Sequence, residues 1–179
     1  AAVGLTGSGA RSAHCIVNTV HEVDVAARLC VWSERATADF TAVYGAEEMA
    51  RSYGEIVPVA AERVVIARDG HIVQLGGRPL LCVDTPGHAR HHLCVWDERS
   101  RSWFTGDTFG LSYREFDSAR GPFVLPTSSP VQFEPDKLRE SVQRLLSFRP
   151  DCMYLTHYGR ITDVQRLGAE YLEQLAQMV

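Results

Sequence analysis

Three residues of this chain stand where side chains can do chemistry. His88 follows a Pro-Gly pair at the end of the apolar run 79–83. Asp107 follows a glycine beyond the run 102–105, and His157 closes the run 152–156 ahead of Tyr158 and Gly159. Pro86 and Gly87 keep the first strand from continuing, and a loop residue held by a rigid sheet can point into a cleft without losing a ladder hydrogen bond. Imidazole nitrogens and carboxylate oxygens are the donors that zinc, iron and manganese accept. One histidine at a strand end is a weak signal. Two histidines and an aspartate, each at the C-terminal end of its own apolar strand, form a constellation with metal-ligand chemistry.

The intervening residues explain how these three can meet. Residues 93–96 read as a strand, 97–101 as a polar turn and 102–105 as the returning strand, so the hairpin brings His88 and Asp107 to one end of a sheet. Upstream, 62–67, 71–75 and 78–83 read as strands joined by Asp69-Gly70 and Gly76-Gly77. Both pairs are hairpin signals, because the tight turns need positive φ. His71 reads as a solvent-facing strand residue. Downstream, Pro135 opens a helix through Phe148 with Leu138, Val142, Leu145 and Leu146 as its buried stripe. A strand at 152–156 and a helix starting at Asp163 follow, the latter striped with Val164, Leu167, Tyr171, Leu175 and Met178. Residues 111–116 lead into a long aperiodic loop, 117–130, in which Phe123, Val124 and Leu125 either plug the domain surface or wall a substrate pocket or dimer contact. Nearer the start, 1–13 is rich in Gly, Ser and Ala, 16–20 and 27–32 read as short strands, and Phe40, Val43, Tyr44, Met49 and Tyr53 suggest one amphipathic helix or two broken near Gly45.

Composition bounds the function. A chain of 179 residues, 45% apolar and 22% charged, suits one soluble globular domain. A net charge of −4 and a pI near 6.0 argue against nucleic acid or an anionic membrane as partner. No window approaches a bilayer-spanning apolar run, and the opening residues lack the basic and apolar regions of a signal peptide. Cys15, Cys30, Cys82, Cys94 and Cys152 form no C-x-x-C pair. Four of the five lie in apolar runs, which suits a reducing, cytoplasmic compartment.

T-P-G-H-A-R-H-H, F-T-G-D-T-F-G and Y-L-T-H-Y-G resemble the third, fourth and fifth motifs of the metallo-β-lactamase-fold hydrolases, a superfamily that includes the hydroxyacylglutathione hydrolases. The resemblance spans residues 36–179 and leaves 1–35 as an unassigned N-terminal segment. It implies that His88 binds one metal, Asp107 bridges two and His157 binds the second. The family's first motif, H-x-H-x-D-H, is absent, and none of His14, His21 and His71 has a histidine partner two residues on. The implied fold is a metallo-β-lactamase-like αββα sandwich present in part: a complete C-terminal half and a remnant of the N-terminal half. The implied activity is metal-dependent hydrolysis of an ester, thioester or related bond in a small-molecule substrate. A divalent ion, zinc foremost with iron or manganese as alternatives, lowers the pKa of water from about 15.7 towards ~7. His92 or the Tyr113-Arg114 pair would meet an anionic group of that substrate. The alternative is a non-catalytic remnant, an interaction module of the same fold that binds no metal. Self-association into a homo-oligomer stays open.

Overall fold

Turn glycines set the strands of this protein. Gly70, Gly76 and Gly77 all have positive φ, and the turns they close bound the strand 72–75, the second joining it to its hairpin partner at 78–84. The computed structural model describes residues 2–4, 15–17, 41–42, 45–53, 67–128, 133–157 and 159–178. The chain divides into two compact units, 1–67 and 68–179. In the first, β1 (Ala2–Gly4) pairs antiparallel with β2 (Cys15–Val17), where a strand at 16–20 was expected. Helix α1 (Ala46–Tyr53) starts after Gly45, whose φ of +84° breaks the helical pattern at the expected place. Glu47 and Glu48 in its first turn suit the positive end of the helix dipole. The strand expected at 27–32, all but Ala67 of the one expected at 62–67, the residues Phe40, Val43 and Tyr44, and the boundary at 35/36 lie outside the described residues.

The second unit is a six-stranded sheet: β3 (Ile72–Leu75), β4 (Arg78–Asp84), β5 (Leu93–Asp97), β6 (Ser102–Leu111), β7 (Cys152–His157) and β8 (Gly159–Ile161). The strands lie side by side in chain order, antiparallel except for the parallel pair β6 and β7. Helix α2 (Pro135–Ser147) makes that crossover, as a parallel connection requires, and α3 (Val164–Gln177) ends the chain. One row of cross-strand partners, Leu81, Trp96, Trp103, Met153 and Ile161, runs across β4 to β8 on a single face. Leu138, Val142 and Leu145 of α2 and Val164, Leu167, Tyr171 and Leu175 of α3 pack on that row as one core. Trp103 donates its indole N–H to Leu145 O at 3.1 Å, which satisfies the one polar atom of a fully buried ring. Residues of the next row face the other way, and there Phe104 and Tyr154 stack at 5.0 Å. A sheet with helices on one face is one α/β layer pair of the expected sandwich.

Three sequence expectations are revised. Strand β6 does not stop at Thr105 but runs to Leu111, because Gly106 (φ +51°) acts as a bulge and not a terminator. Strand β8 was not foreseen, since three residues are too few to show a period. Met178 is 47% exposed and lies past the helix end, outside the stripe it was given. Within the loop after β6, Val124 is fully buried in the core, whereas Leu125 is 42% exposed. That loop is tied down: Leu111 and Leu125 exchange backbone hydrogen bonds of 3.1 and 2.9 Å, and Gln174 of α3 donates to Val124 O.

Candidate metal centre

The loop carrying His88 is shaped by its contact with α2. Gly87 has a φ of +130°, and a Cβ built there would lie 2.2 Å from Leu138 N. Only glycine permits the loop to lie this close to the helix's first turn. Glu134 N–H donates to Gly87 O at 2.7 Å, and Ser141 Oγ donates to Pro86 O at 2.7 Å. The loop is closed at its base by Thr85 N–H to His92 O at 2.9 Å. His88 is thereby held at the C-terminal end of β4 with only 8% of its surface exposed.

Asp107 reaches the same place through the β6 bulge. Phe104 pairs with Tyr154 but Gly106 pairs with Leu155, so β6 carries an extra residue there, and the next pairing is Leu111 with His157. Residues 107–110 thus leave the ladder beside the end of β7, and a bulge of this kind re-aims the side chain that follows it. His157 sits at the last position of β7, and its side chain is 51% exposed.

The carboxylate of Asp107 lies between the two imidazoles. Its Oδ2 is 3.6 Å from His88 Nε2 and its Oδ1 is 3.2 Å from His157 Nε2. Oδ1 is buried and makes no hydrogen bond, so the 3.2 Å approach is not an aligned N–H···O contact. On the far side of His88, Nδ1 lies 3.2 Å from Thr127 O and 2.9 Å from Thr127 Oγ1, while that hydroxyl donates to Asp107 O at 3.2 Å. A carbonyl can only accept, and the Thr127 hydroxyl already uses its proton, so Nδ1 carries the hydrogen. In the neutral ring Nε2 then presents a lone pair to a carboxylate oxygen.

These donors fit a divalent ion in kind and in spacing. Two ligands on one tetrahedral ion with bonds of ~2.0–2.1 Å lie about 3.3 Å apart, and the two observed separations bracket that value. A histidine whose other nitrogen donates to a backbone carbonyl also has the orientation metal-ligating imidazoles take. The number of donors is smaller than a closed site needs. Among the described residues no group of three or more His, Cys, Asp or Glu side chains is arranged to hold an ion by itself. Each oxygen of Asp107 is paired with one imidazole.

The other candidates are placed elsewhere. His92 is interior, 1% exposed, with Nε2 accepting from Asp107 N–H at 3.0 Å and Nδ1 at 2.8 Å from Thr108 Oγ1. Burial, then repulsion from His88 and His91, holds its protonation well below the ordinary imidazole range. No part of this ring is turned to solvent for a substrate's anionic group, because both nitrogens are bonded inside the fold. Arg114 bonds Ser112 of its own loop and lies 3.5 Å from Asp117, and the Tyr113 ring packs edge-on to Phe116. Thr127 escaped the sequence reading altogether. It lies in an aperiodic loop, and nothing local distinguishes it from Ser128.

Comparison with known proteins places the chain in a family. The model of the metallo-beta-lactamase superfamily matches residues 27–157, a span that holds all three clustered side chains. A metallo-beta-lactamase fold-containing protein of Sulfurisphaera tokodaii, ST1585, is 27% identical over 143 residues, covering 80% of this chain and 47% of that protein. A hydroxyacylglutathione hydrolase of a Methylobacterium species is 32% identical over 98 residues, 55% of this chain and 32% of that protein. The crystal structure of ST1585 superposes with a TM-score of 0.61 at 26% identity, over 79% of this chain and 50% of that one. The chain therefore spans about half the length, or less, of these relatives. By its matched residues and its fold, the chain belongs to the metallo-beta-lactamase superfamily.

Proposed function

We propose that this chain carries part of the active site of a metal-dependent hydrolase, with His88, Asp107 and His157 as protein ligands. The observation that carries the reading is the facing of lone pairs. His88 Nε2, its partner nitrogen already donating to Thr127 O, points at Asp107 Oδ2, and Asp107 Oδ1 is buried without a hydrogen bond beside His157 Nε2. A divalent cation resolves that arrangement on both sides of the carboxylate, since one carboxylate has an oxygen for each imidazole. When bound, such an ion supplies Lewis-acid activation of water for attack on an ester, thioester or related bond. Zinc suits the donor set best, and iron or manganese takes the same donors. In this reading His88 and Asp107, both largely buried, hold the ion from the protein side. His157, half exposed, stands on the solvent side, where a small-molecule substrate enters. A working site draws its remaining donors from beyond these three residues.

Superfamily membership and the similarity to a hydroxyacylglutathione hydrolase support hydrolysis. Free thiols at Cys82, Cys94 and Cys152 support a reducing, cytoplasmic setting, and no described helix is long and apolar enough to cross a membrane. The shortage of donors favours a second reading, a non-catalytic module in which the imidazoles pair with Asp107 directly. The two separate in one experiment. The purified chain is loaded with zinc, freed of excess and analysed for metal beside Asp107→Ala, then assayed on nitrophenyl esters and thioesters. Stoichiometric zinc lost in Asp107→Ala is expected. Equal, substoichiometric zinc in both would sink the hydrolase reading in favour of the module.

A further inference from the structure

A second, fully buried polar chain lies behind the proposed ligands. Asp107 N–H has no strand partner, because β6 has left the ladder, and His92 Nε2 accepts it at 3.0 Å. From the other ring nitrogen the contacts run on through four residues. His92 Nδ1 is 2.8 Å from Thr108 Oγ1, and Thr108 Oγ1 donates to Thr85 Oγ1 at 3.1 Å. Thr85 Oγ1 is 3.2 Å from Cys94 Sγ, and Cys94 Sγ donates to Thr105 O at 3.2 Å.

The two ends of this chain fix where the His92 ring and the Cys94 thiol carry their hydrogens. A backbone N–H can only donate, so His92 Nε2 is an acceptor and the hydrogen of the neutral ring sits on Nδ1. Nδ1 faces two hydroxyls, Thr108 Oγ1 at 2.8 Å and Thr85 Oγ1 at 3.1 Å; Thr108, the nearer, gives its own hydrogen to Thr85 and is free to receive that of Nδ1. Thr105 O can only accept, so the Cys94 thiol keeps its hydrogen and gives it there, which leaves Thr85 to donate to sulfur. Each donor then has an acceptor in one consistent direction. Networks satisfied in this way rigidify a core, whereas a broken one leaves several buried groups unpaired.

His92 also ties together the two loops that bear the proposed ligands. Its carbonyl accepts from Thr85 N–H and its N–H donates to Ala89 O, which closes the loop carrying His88. Its ring lies edge-on to that of His88 with centroids 5.8 Å apart.

We infer that His92 is a positioning residue that fixes Asp107 relative to His88, its ring held in one orientation by the Thr108, Thr85 and Cys94 chain. The inference rests on the metal-site reading only for its effect on affinity; the hydrogen-bond arrangement stands without it. If the arrangement is right, the acceptor at the Nε2 position matters and the rest of the ring does not. Glutamine carries an amide oxygen near that position and leucine carries none.

The test has two arms on the full 179-residue chain. In the zinc-free protein, long-range ¹H–¹⁵N correlation of the His92 ring is expected to show Nδ1 protonated and Nε2 bare. Hydrogen on Nε2 overturns the inference, and because this arm uses the unaltered protein it decides the matter even if His92→Leu does not fold. In the second arm, zinc affinity is measured by chelator competition. His92→Leu should bind about 10–100-fold more weakly, the usual cost of removing a partner behind a ligand, and His92→Gln should recover most of the loss. Native affinity in a folded His92→Leu, or a Gln variant as weak as Leu, overturns the inference. A wild-type chain that takes up no zinc refutes the metal-site reading instead, and leaves the ring measurement to decide the role of His92.

Discussion

Replacing Gly87 by alanine tests whether the loop that carries His88 is fixed by its contact with α2. Two costs combine. The φ of +130° is one L side chains rarely adopt, and holding an alanine there costs about 1–3 kcal/mol. The added Cβ also meets Leu138 N at 2.2 Å, Leu138 Cα at 2.3 Å and Leu138 Cβ at 2.6 Å. Two of those atoms are helix backbone and cannot rotate away, so the loop must retreat by about 1–2 Å to reach ordinary contact. The hydrogen bonds from Glu134 N–H to Gly87 O and from Ser141 Oγ to Pro86 O, both 2.7 Å, cannot survive that movement. Each is worth about 1 kcal/mol. The expected loss is about 3–5 kcal/mol, a large share of the ~5–15 kcal/mol by which a domain is folded. Gly70 supplies the control: its φ is +80°, but an added Cβ meets nothing within 4 Å. Gly70→Ala should cost only the backbone term, about 1–2 kcal/mol. Urea denaturation of both variants gives the comparison. A Gly87→Ala variant no less stable than Gly70→Ala would show that the loop does not depend on its contact with the helix, and the account of how His88 is aimed would fall.

Two further perturbations probe the site and the sheet. Thr127→Val removes the hydroxyl that bonds His88 Nδ1 and Asp107 O, and should weaken zinc binding about 10-fold, towards the lower end for outer partners. Thr127→Ser should bind as the native chain does, and chelator competition that ranks Ser with Val would refute the role. Asp97 is the last residue of β5, paired with Ser102 at the start of β6. Burial raises its carboxyl, but bonds from Ser100, Arg78 and Arg99 outweigh it and hold the group below its ordinary range. The unfolded chain therefore takes up this proton first as the pH falls. The stabilisation is full above about pH 4 and is lost as the pH falls through the lower folded value. In urea titrations the advantage over Asp97→Asn should narrow below about pH 4, and one that widens there would contradict the assignment.

Strand-end chemistry and turn glycines were legible in the sequence because they depend on neighbours in the chain. Asp69-Gly70 and Gly76-Gly77 demand positive φ wherever they fold, Pro135 suits the first position of a helix, and an apolar stripe every three or four residues must face a core. So the hairpin from β5 to β6, the two long helices of the second unit and the placement of His88 and His157 at strand ends could be written down before any coordinates, whereas Asp107 lies inside β6. The motifs around those residues also pointed to the superfamily. Errors arose where local and distant signals compete. Gly106 looks like a stop and is a bulge, since only pairing with β7 shows that β6 continues. Met178 keeps the period of the α3 stripe but lies beyond the last helical turn.

The residues behind the site were decided by tertiary structure alone. His92 and Thr127 lie fifteen and twenty positions from Asp107, and nothing in that spacing says which ring nitrogen accepts a backbone N–H or which carbonyl orients His88. Hydrogen-bond direction depends on what lies opposite each atom. Sequence supplied His88, Asp107 and His157; the bulge at Gly106, the contact of Gly87 with α2 and the buried chain from His92 to Cys94 set where the first two of those side chains point.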